Sequence, residues 1–314
     1  MSNYRASYSA GQEREVVYAP WEARGMSKEE WELKYHETMK SAKEMGLDVS
    51  NPVAKQKQKD NYHKLKGVGL VEQGYDTRHW SLLISQGHLQ LPHVPLEVKG
   101  LVLVLSSLMR ARSKGKLVDG NLNPLNTLDI ARKINKSEKT IRPLLRNAET
   151  LGLIKSSKLG NEYIYTLEPE YYICGKSTGL DDFVKVFQGK TLEISRNKKL
   201  NFSDLGILSV LINQMHYESH IICEDPTNPS YKEMKVWRPK DIAEKLNLDI
   251  QAVRRSLRKF NNEGITVEIK AYGIKTIILN PEMFSRHRLK IDMDILKEVA
   301  NREKGNLTRN NYIN

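Results

Sequence analysis

The heptapeptide DIARKIN at residues 129–135 returns almost unchanged as DIAEKLN at 241–247. The match runs on without a gap at the same 112-residue offset, so that DIARKINKSEKTIRPLLRNAETLGL overlays DIAEKLNLDIQAVRRSLRKFNNEGI. Identities fall at Asp129/Asp241, Ile130/Ile242, Ala131/Ala243, Lys133/Lys245 and Asn135/Asn247, then at Arg142/Arg254, Leu145/Leu257, Arg146/Arg258 and Gly152/Gly264. The register still holds at Pro169/Pro281 and Glu170/Glu282. Chance composition does not keep register over that distance, so the chain contains two copies of one supersecondary unit. Upstream the offset becomes 106, with Gly100 of LEVKGLVLVLSSL on Gly206 of FSDLGILSVLINQ. The second copy therefore carries about six extra residues in HYESHIICEDPTNPSYKEMKVWRP (216–239). A looser echo sets Gln86-Gly87 against Gln188-Gly189.

Each copy opens with an apolar run at helical spacing, Leu101, Val102, Val104, Leu105 and Leu108 in the first. A loop leads to a short helix near Leu128–Ile134, with Ile130, Ala131 and Ile134 as its buried stripe. Ser137 and Asp249 then stand where an N-cap oxygen can accept a free backbone N–H of the next helix. Gly152 and Gly264 stand where that helix must stop. Two strands follow in each copy, LIKSS and EYIYTL, then ITVEIKA and KTIIL, turned at Gly160 and Gly273. Three helices and a hairpin predict two tandem winged helix-turn-helix domains behind an N-terminal helical extension, an α+β chain that is mostly α with small β-hairpins. Pro143 falls inside the third helix of copy one and predicts a kink or a later start, since proline removes a hydrogen bond there.

The expected layout is an extension over 1–79, partly disordered with a helix near 27–45, and repeat domains over 80–178 and 183–288. A C-terminal helix and polar tail follow over 289–314. Within the extension, Ser27-x-x-Glu30 has the pattern of a capping box, and Trp31, Tyr35, Met39 and Ala42 share one helical face. That face suits packing on the first repeat or holding a partner. The basic stretch 54–67 reads as linker or helix.

The net charge of +12 favours a polyanionic partner. No apolar run is long enough to span a membrane, and the first twenty residues lack a secretory signal's apolar core. Two cysteines, Cys174 and Cys223, make no disulfide framework, and a cytoplasmic setting is expected. Bases in the major groove are read by paired donors and acceptors on a helix, Arg to guanine and Gln to adenine. The candidate DNA contacts on copy one are Lys136, Ser137, Lys139, Thr140, Arg142 and Arg146, with Lys155 and Lys158 on its hairpin. On copy two they are Gln251, Arg254, Arg255, Arg258 and Lys259, with Lys270, Tyr272 and Lys275 on the hairpin. The plain alternative is that these cations are ordinary solvated helix surface.

The helix pattern, the hairpin, and the endings YTLEPEYYICG and ILNPEMFSRHR resemble the winged-helix core of the RepL family of plasmid replication proteins. The doubling is similar to the tandem winged-helix initiators related to RepE and the π protein. This resemblance covers about 80–288 and implies origin DNA binding, often at repeated sites, and recruitment of host replication proteins. The expected partners are double-stranded DNA and, as one assembly to consider, a second copy of the chain in a homodimer. Copy one departs from it at Glu168, where the family-like Asn would stand, and at Pro143. A transcriptional regulator or partition protein, or an interaction module with non-specific basic charge, are the alternatives.

No catalysis or cofactor is expected. There is no Gly-rich loop ending in Gly-Lys-Ser/Thr for a nucleotide, and no pair of histidines flanking one hydrophobic residue beside a nucleophilic tyrosine. In HYESHIIC, His216, His220 and Cys223 have spacing compatible with metal only if helical and completed by Cys174 or Glu224; a polar insertion is the expected reading.

Overall fold

The computed structural model describes residues 76–314 apart from 86, 88–92, 176–181, 271–273, 288, 304 and 314, together with 25–27, 29, 30, 33, 34, 37, 38 and 41. The expected face of Trp31, Tyr35, Met39 and Ala42, the basic stretch 54–67, Tyr272 and the turn at Gly273 lie outside the described residues. The chain divides into two units, Met1–Val49 and Ser50–Asn314. In the first, Glu30 N–H donates to Ser27 Oγ at 3.1 Å and Ser27 N–H donates to Glu30 Oε2 at 2.9 Å, the reciprocal capping that the sequence pattern predicts.

The second unit contains β1 (Trp80–Ile84), α1 (Leu96–Ser106), α2 (Thr127–Lys133), α3 (Glu138–Thr150), β2 (Ile154–Leu159), β3 (Glu162–Leu167) and β4 (Tyr172–Ile173) from copy one. Copy two supplies β5 (Phe183–Phe187), α4 (Gln188–Arg196), α5 (Phe202–Asn213), α6 (Pro239–Leu246), α7 (Ile250–Asn262), β6 (Thr266–Ile269), β7 (Thr276–Leu279) and β8 (Phe284–Ser285), and α8 (Met293–Arg302) follows. The local signals act as they read. Ser137 Oγ accepts Thr140 N–H at 3.1 Å, and Asp249 Oδ1 accepts the N–H groups of Gln251 and Ala252. Gly152 and Gly264 sit at φ of +70° and +66°, where side-chain-bearing residues are strained. Pro143 lies within α3, which begins immediately after its Ser137 cap, so the helix does not start late.

The expectation of an α+β chain, mostly helical with small β-hairpins, is compatible with the structure, whereas its division into two tandem winged helix-turn-helix domains is overturned by the sheet topology and the core. The fold is α+β. Besides hairpins β2–β3 and β6–β7, the strands form one four-stranded antiparallel sheet in the order β4-β1-β5-β8, drawn from both copies. Its centre pairs β1 with β5, from Trp80 opposite Phe187 to Ile84 opposite Phe183. One hydrophobic core runs through both copies, from Leu83, Leu101 and Ile141 to Leu205, Phe260 and Phe284. Both copies lie within the unit Ser50–Asn314, and each covers part of the other's core.

Helices α1 and α5 are the seam. All of Val98–Ser106 is buried, and α5 is buried on nearly every side, as helices apolar all round must be. A methyl group on Gly100 would fall 2.0 Å from the Phe202 carbonyl oxygen, and one on Gly206 would fall 2.0 Å from the Leu96 carbonyl oxygen. At the 106-residue offset these two contacts are the same contact, so the copies meet about a pseudo-two-fold axis. The sheet obeys the same axis. Leu83 pairs with Tyr172 as Val186 pairs with Phe284, and Leu82 pairs with Ile173 as Lys185 pairs with Ser285. Thus Leu82 corresponds to Lys185, one residue away from where the Gln86-Gly87 match would set it.

Copy two bears an extra layer. Its insertion contributes Ile221, Cys223, Tyr231, Met234 and Val236 to a second core with Ile274 and Ile278 of the hairpin region and Leu296, Val299 and Leu307 of the C-terminal segment. The expected polar tail is packed here. Asn311 is buried, and its Nδ2 donates to the carbonyls of Tyr231, Lys232 and Met234 at 2.9–3.1 Å.

Replacing Gly100 or Gly206 by Ala forces the α1–α5 seam apart and should destabilise the protein by about 1–3 kcal/mol, the usual cost of overpacking. Gly189→Ala in α4, with open space around it, should be neutral or stabilising. Denaturant unfolding of the three variants checks this, and equal midpoints would show that the seam is not tight.

Candidate nucleic-acid interface

Helix α7 is sharply two-sided. Val253, Ser256, Leu257 and Phe260 are buried, while Gln251, Arg254, Arg255 and Arg258 are exposed. Those three arginines have no ion-pair or hydrogen-bond partner among the described residues. The helix holds four cations and no acid, so its exposed side is an uncompensated positive stripe. Lys259 is different. Its ammonium lies 2.7 Å from Oδ2 of the buried Asp204 and belongs to the helix's seat rather than to its exposed stripe. On the adjoining hairpin, Lys270 is exposed and Lys275 is engaged by Glu268 at 2.6 Å.

The matching surface of copy one is more neutralised. Arg142 is paired with Glu138 one turn back, and Lys155 with Glu168 at 2.9 Å. Lys136 reaches the Leu200 carbonyl at 3.5 Å, and burial pushes its ammonium below the ordinary lysine range. Ser137 is occupied as the cap of α3, its hydroxyl also bonded to that of Thr140 at 2.7 Å. Lys139, Arg146 and Lys158 are exposed and have no ion-pair partner among the described residues. Between α3 and the β2–β3 hairpin runs a cleft of about 570 Å³ lined by Arg142, Arg146, Tyr163 and the acids Glu138, Glu149 and Glu162.

A further polar group escaped the sequence reading. Asn201 and Asp204 form a capping box at the start of α5, with Asp204 N–H donating to Asn201 Oδ1 at 2.8 Å and Asn201 N–H to Asp204 Oδ2 at 3.0 Å. The motif Asn-x-x-Asp announces the cap. Nothing local announces that the same carboxylate also meets α7.

The stretch 216–223 is not helical, and its polar side chains are separately occupied. His216 shares hydrogen bonds with Ser219 Oγ and the Asn228 carbonyl, both at 2.9 Å. Cys223 Sγ donates to the Asp225 carbonyl, and burial pushes its thiol up. His220 is wholly buried at φ +58°, with Nδ1 3.3 Å from the Leu279 carbonyl and Nε2 unpartnered among the described residues. Among the described residues no group of three or more His, Cys, Asp or Glu could hold a metal ion. No helix of these residues is long and apolar enough to cross a membrane.

Comparison with protein families, characterised proteins and solved structures finds no match to this chain.

Burial holds His220 down at about 3, against an ordinary imidazole near 6.5, with the neighbouring His287 and Arg286 adding repulsion. Below about pH 6.5 the unfolded chain binds a proton here that the folded chain refuses, so stability present at neutral pH is lost as pH falls towards 3, at up to about 1.4 kcal/mol per pH unit. His220→Asn, which tolerates the left-handed backbone, should flatten that slope between about pH 6.5 and 4.5. Urea midpoints across this range measure it, and an unaltered slope would assign the proton uptake elsewhere.

Proposed function

We propose that this chain is a sequence-specific duplex DNA-binding protein that reads its site through the exposed stripe of α7, with α3 and the hairpins as the second set of contacts. The observation that carries the proposal is the unpaired row of Arg254, Arg255 and Arg258 beside Gln251 on one face of a helix whose other face is core. These side chains have the donors that read guanine and adenine edges, and an α-helix fits the major groove. The net charge of +12 supports the same partner. Because the copies are related by a pseudo-two-fold axis, their reading helices address a duplex in opposite directions. The site is accordingly an imperfect inverted repeat, with half-sites about one helical turn, roughly 10–11 bp, or a multiple apart.

The biological role proposed is replication initiation at a plasmid or phage origin. It draws its support from the resemblance of each repeat to the RepL family, and host replication proteins are the partners it entails. A regulator acting at its own promoter differs from it only in the location of the sites. Footprinting on the flanking DNA therefore separates the two, with an origin repeat array supporting initiation and a lone promoter site excluding it.

Arg254→Ala or Arg255→Ala should each weaken binding to the footprinted site by about 1–3 kcal/mol and relax preference at one base pair. Affinity should fall steeply and linearly with log salt, because phosphate contacts release counterions. Electrophoretic shifts across a salt series test both, and a native protein that shifts no duplex at low salt would remove the proposal.

A further inference from the structure

We propose that Asp204 is a positioning residue for DNA reading: by gripping α7 from below it sets the rotation at which Arg254, Arg255 and Arg258 are presented. This rests on the DNA-binding proposal. Asp204 is 4% exposed, the third residue of α5, and its carboxylate gathers donors from two helices. Oδ1 accepts the Ser256 hydroxyl at 2.7 Å, and Oδ2 accepts the Lys259 ammonium at 2.7 Å as well as the Asn201 N–H. A second tie holds the end of the same helix. Glu263, its C-cap, receives Asn197 Nδ2 at 2.6 Å and Lys199 Nζ at 2.7 Å from the loop before α5.

Copy one shows what these ties are not needed for. At the positions equivalent to Asp204, Ser256, Lys259 and Glu263 it has Val98, Leu144, Asn147 and Leu151. Val98 is fully buried and Leu144 packs partly buried on the shared core. Hydrocarbon alone therefore seats α3 against α1. A hydrocarbon contact is non-directional and tolerates a small rotation or slide. A buried carboxylate with three fixed donors does not, because any shift leaves it under-bonded in a low-dielectric setting.

Helix α7 also has more to restrain. Arg258 is four residues from Arg254 and three from Arg255, spacings at which like charges repel on a helix, and no acid of α7 offsets them. Asp204 compensates Lys259 from the neighbouring helix, so the arginine stripe is the part of α7 left without a counter-charge. Base reading needs side chains held to about 0.5 Å and 10–20° of their productive geometry, whereas attraction to the phosphate backbone does not. Asp204 therefore governs discrimination between sequences and leaves general DNA affinity alone.

The test uses the full chain and the duplex that the native protein selects from a random pool, against an unrelated duplex of equal length. The variant Asp204→Val/Ser256→Leu/Lys259→Asn transplants the residues of copy one into copy two. It should fold, keep its affinity for the unrelated duplex and its salt slope, and lose about ten-fold in the ratio of selected to unrelated affinity. A ratio equal to the native one overturns the inference. Ser256→Ala, which deletes one donor with little change of volume, should lower the ratio by a smaller factor, and an unchanged ratio in that variant overturns it should the transplant not fold. Failure of the DNA-binding proposal is distinct, since the native protein then selects no duplex at all.

Discussion

The close crossing of α1 and α5 is the constraint on which the rest depends. Two helices that are apolar on nearly all sides have no stable solvent-facing orientation and must be enclosed. Gly100 and Gly206 let the backbones approach until each meets a carbonyl oxygen of the other helix. Because the same glycine meets the same turn in both directions, the contact relates the copies by a two-fold axis. That axis lays β1 antiparallel to β5 and brings β4 and β8 to the two edges as equivalents. A bulkier side chain at either glycine would act on the sheet and on both helix-hairpin units together. The units are positioned by a seam that neither contains.

The symmetry is broken in a way that matters for the proposed interface. The β2–β3 hairpin of copy one is braced by the loop before α2, through Lys116 opposite Thr166 and Asn126 opposite Ile164. In copy two the insertion takes that place with Ile221 opposite Ile278, and the C-terminal segment closes over it through Tyr312, whose hydroxyl donates to the Lys275 carbonyl. The six or so inserted residues and the last helix therefore work as one accessory layer. Its polar interior, with buried His216 and His220, is satisfied mostly by backbone carbonyls. Such groups are costly to leave dry and unbonded, which makes this layer specific to one geometry.

Much of the local structure was legible because its causes are local. The caps at Ser137 and Asp249, the stops at Gly152 and Gly264, and the hairpin strands each follow from residues within one turn of the event. The fusion of the copies was not legible, because it is written in two glycines 106 residues apart whose role exists only when the helices meet. β4 and β8, two residues each, carry no periodicity to detect. At the interface, Arg258 and Lys259 look alike in sequence, both basic and adjacent. What separates them is Asp204, 55 residues away, which claims one and leaves the other exposed. The Arg142–Glu138 pair, by contrast, was legible, because an acid four residues before an arginine on a helix is a local signal; matching Arg142 to Arg254 alone passes over it.

This difference decides how the positive charge of the chain can be used. A cation already bonded to a carboxylate must surrender that partner before it meets a phosphate, and the exchange returns little free energy at the surface. Only unpaired cations displace condensed counterions at full value. On copy one, pairing removes Arg142 and Lys155 from that set, and acids line the cleft between helix and hairpin. On copy two, Asp204 and Glu263 lie beneath or beyond the exposed stripe and hold α7 without neutralising Arg254, Arg255 or Arg258. Glu138 and Glu168 of copy one would thus compete with a bound duplex, as Glu268 would on the hairpin of copy two, whereas Asp204 and Glu263 support the helix proposed to read it.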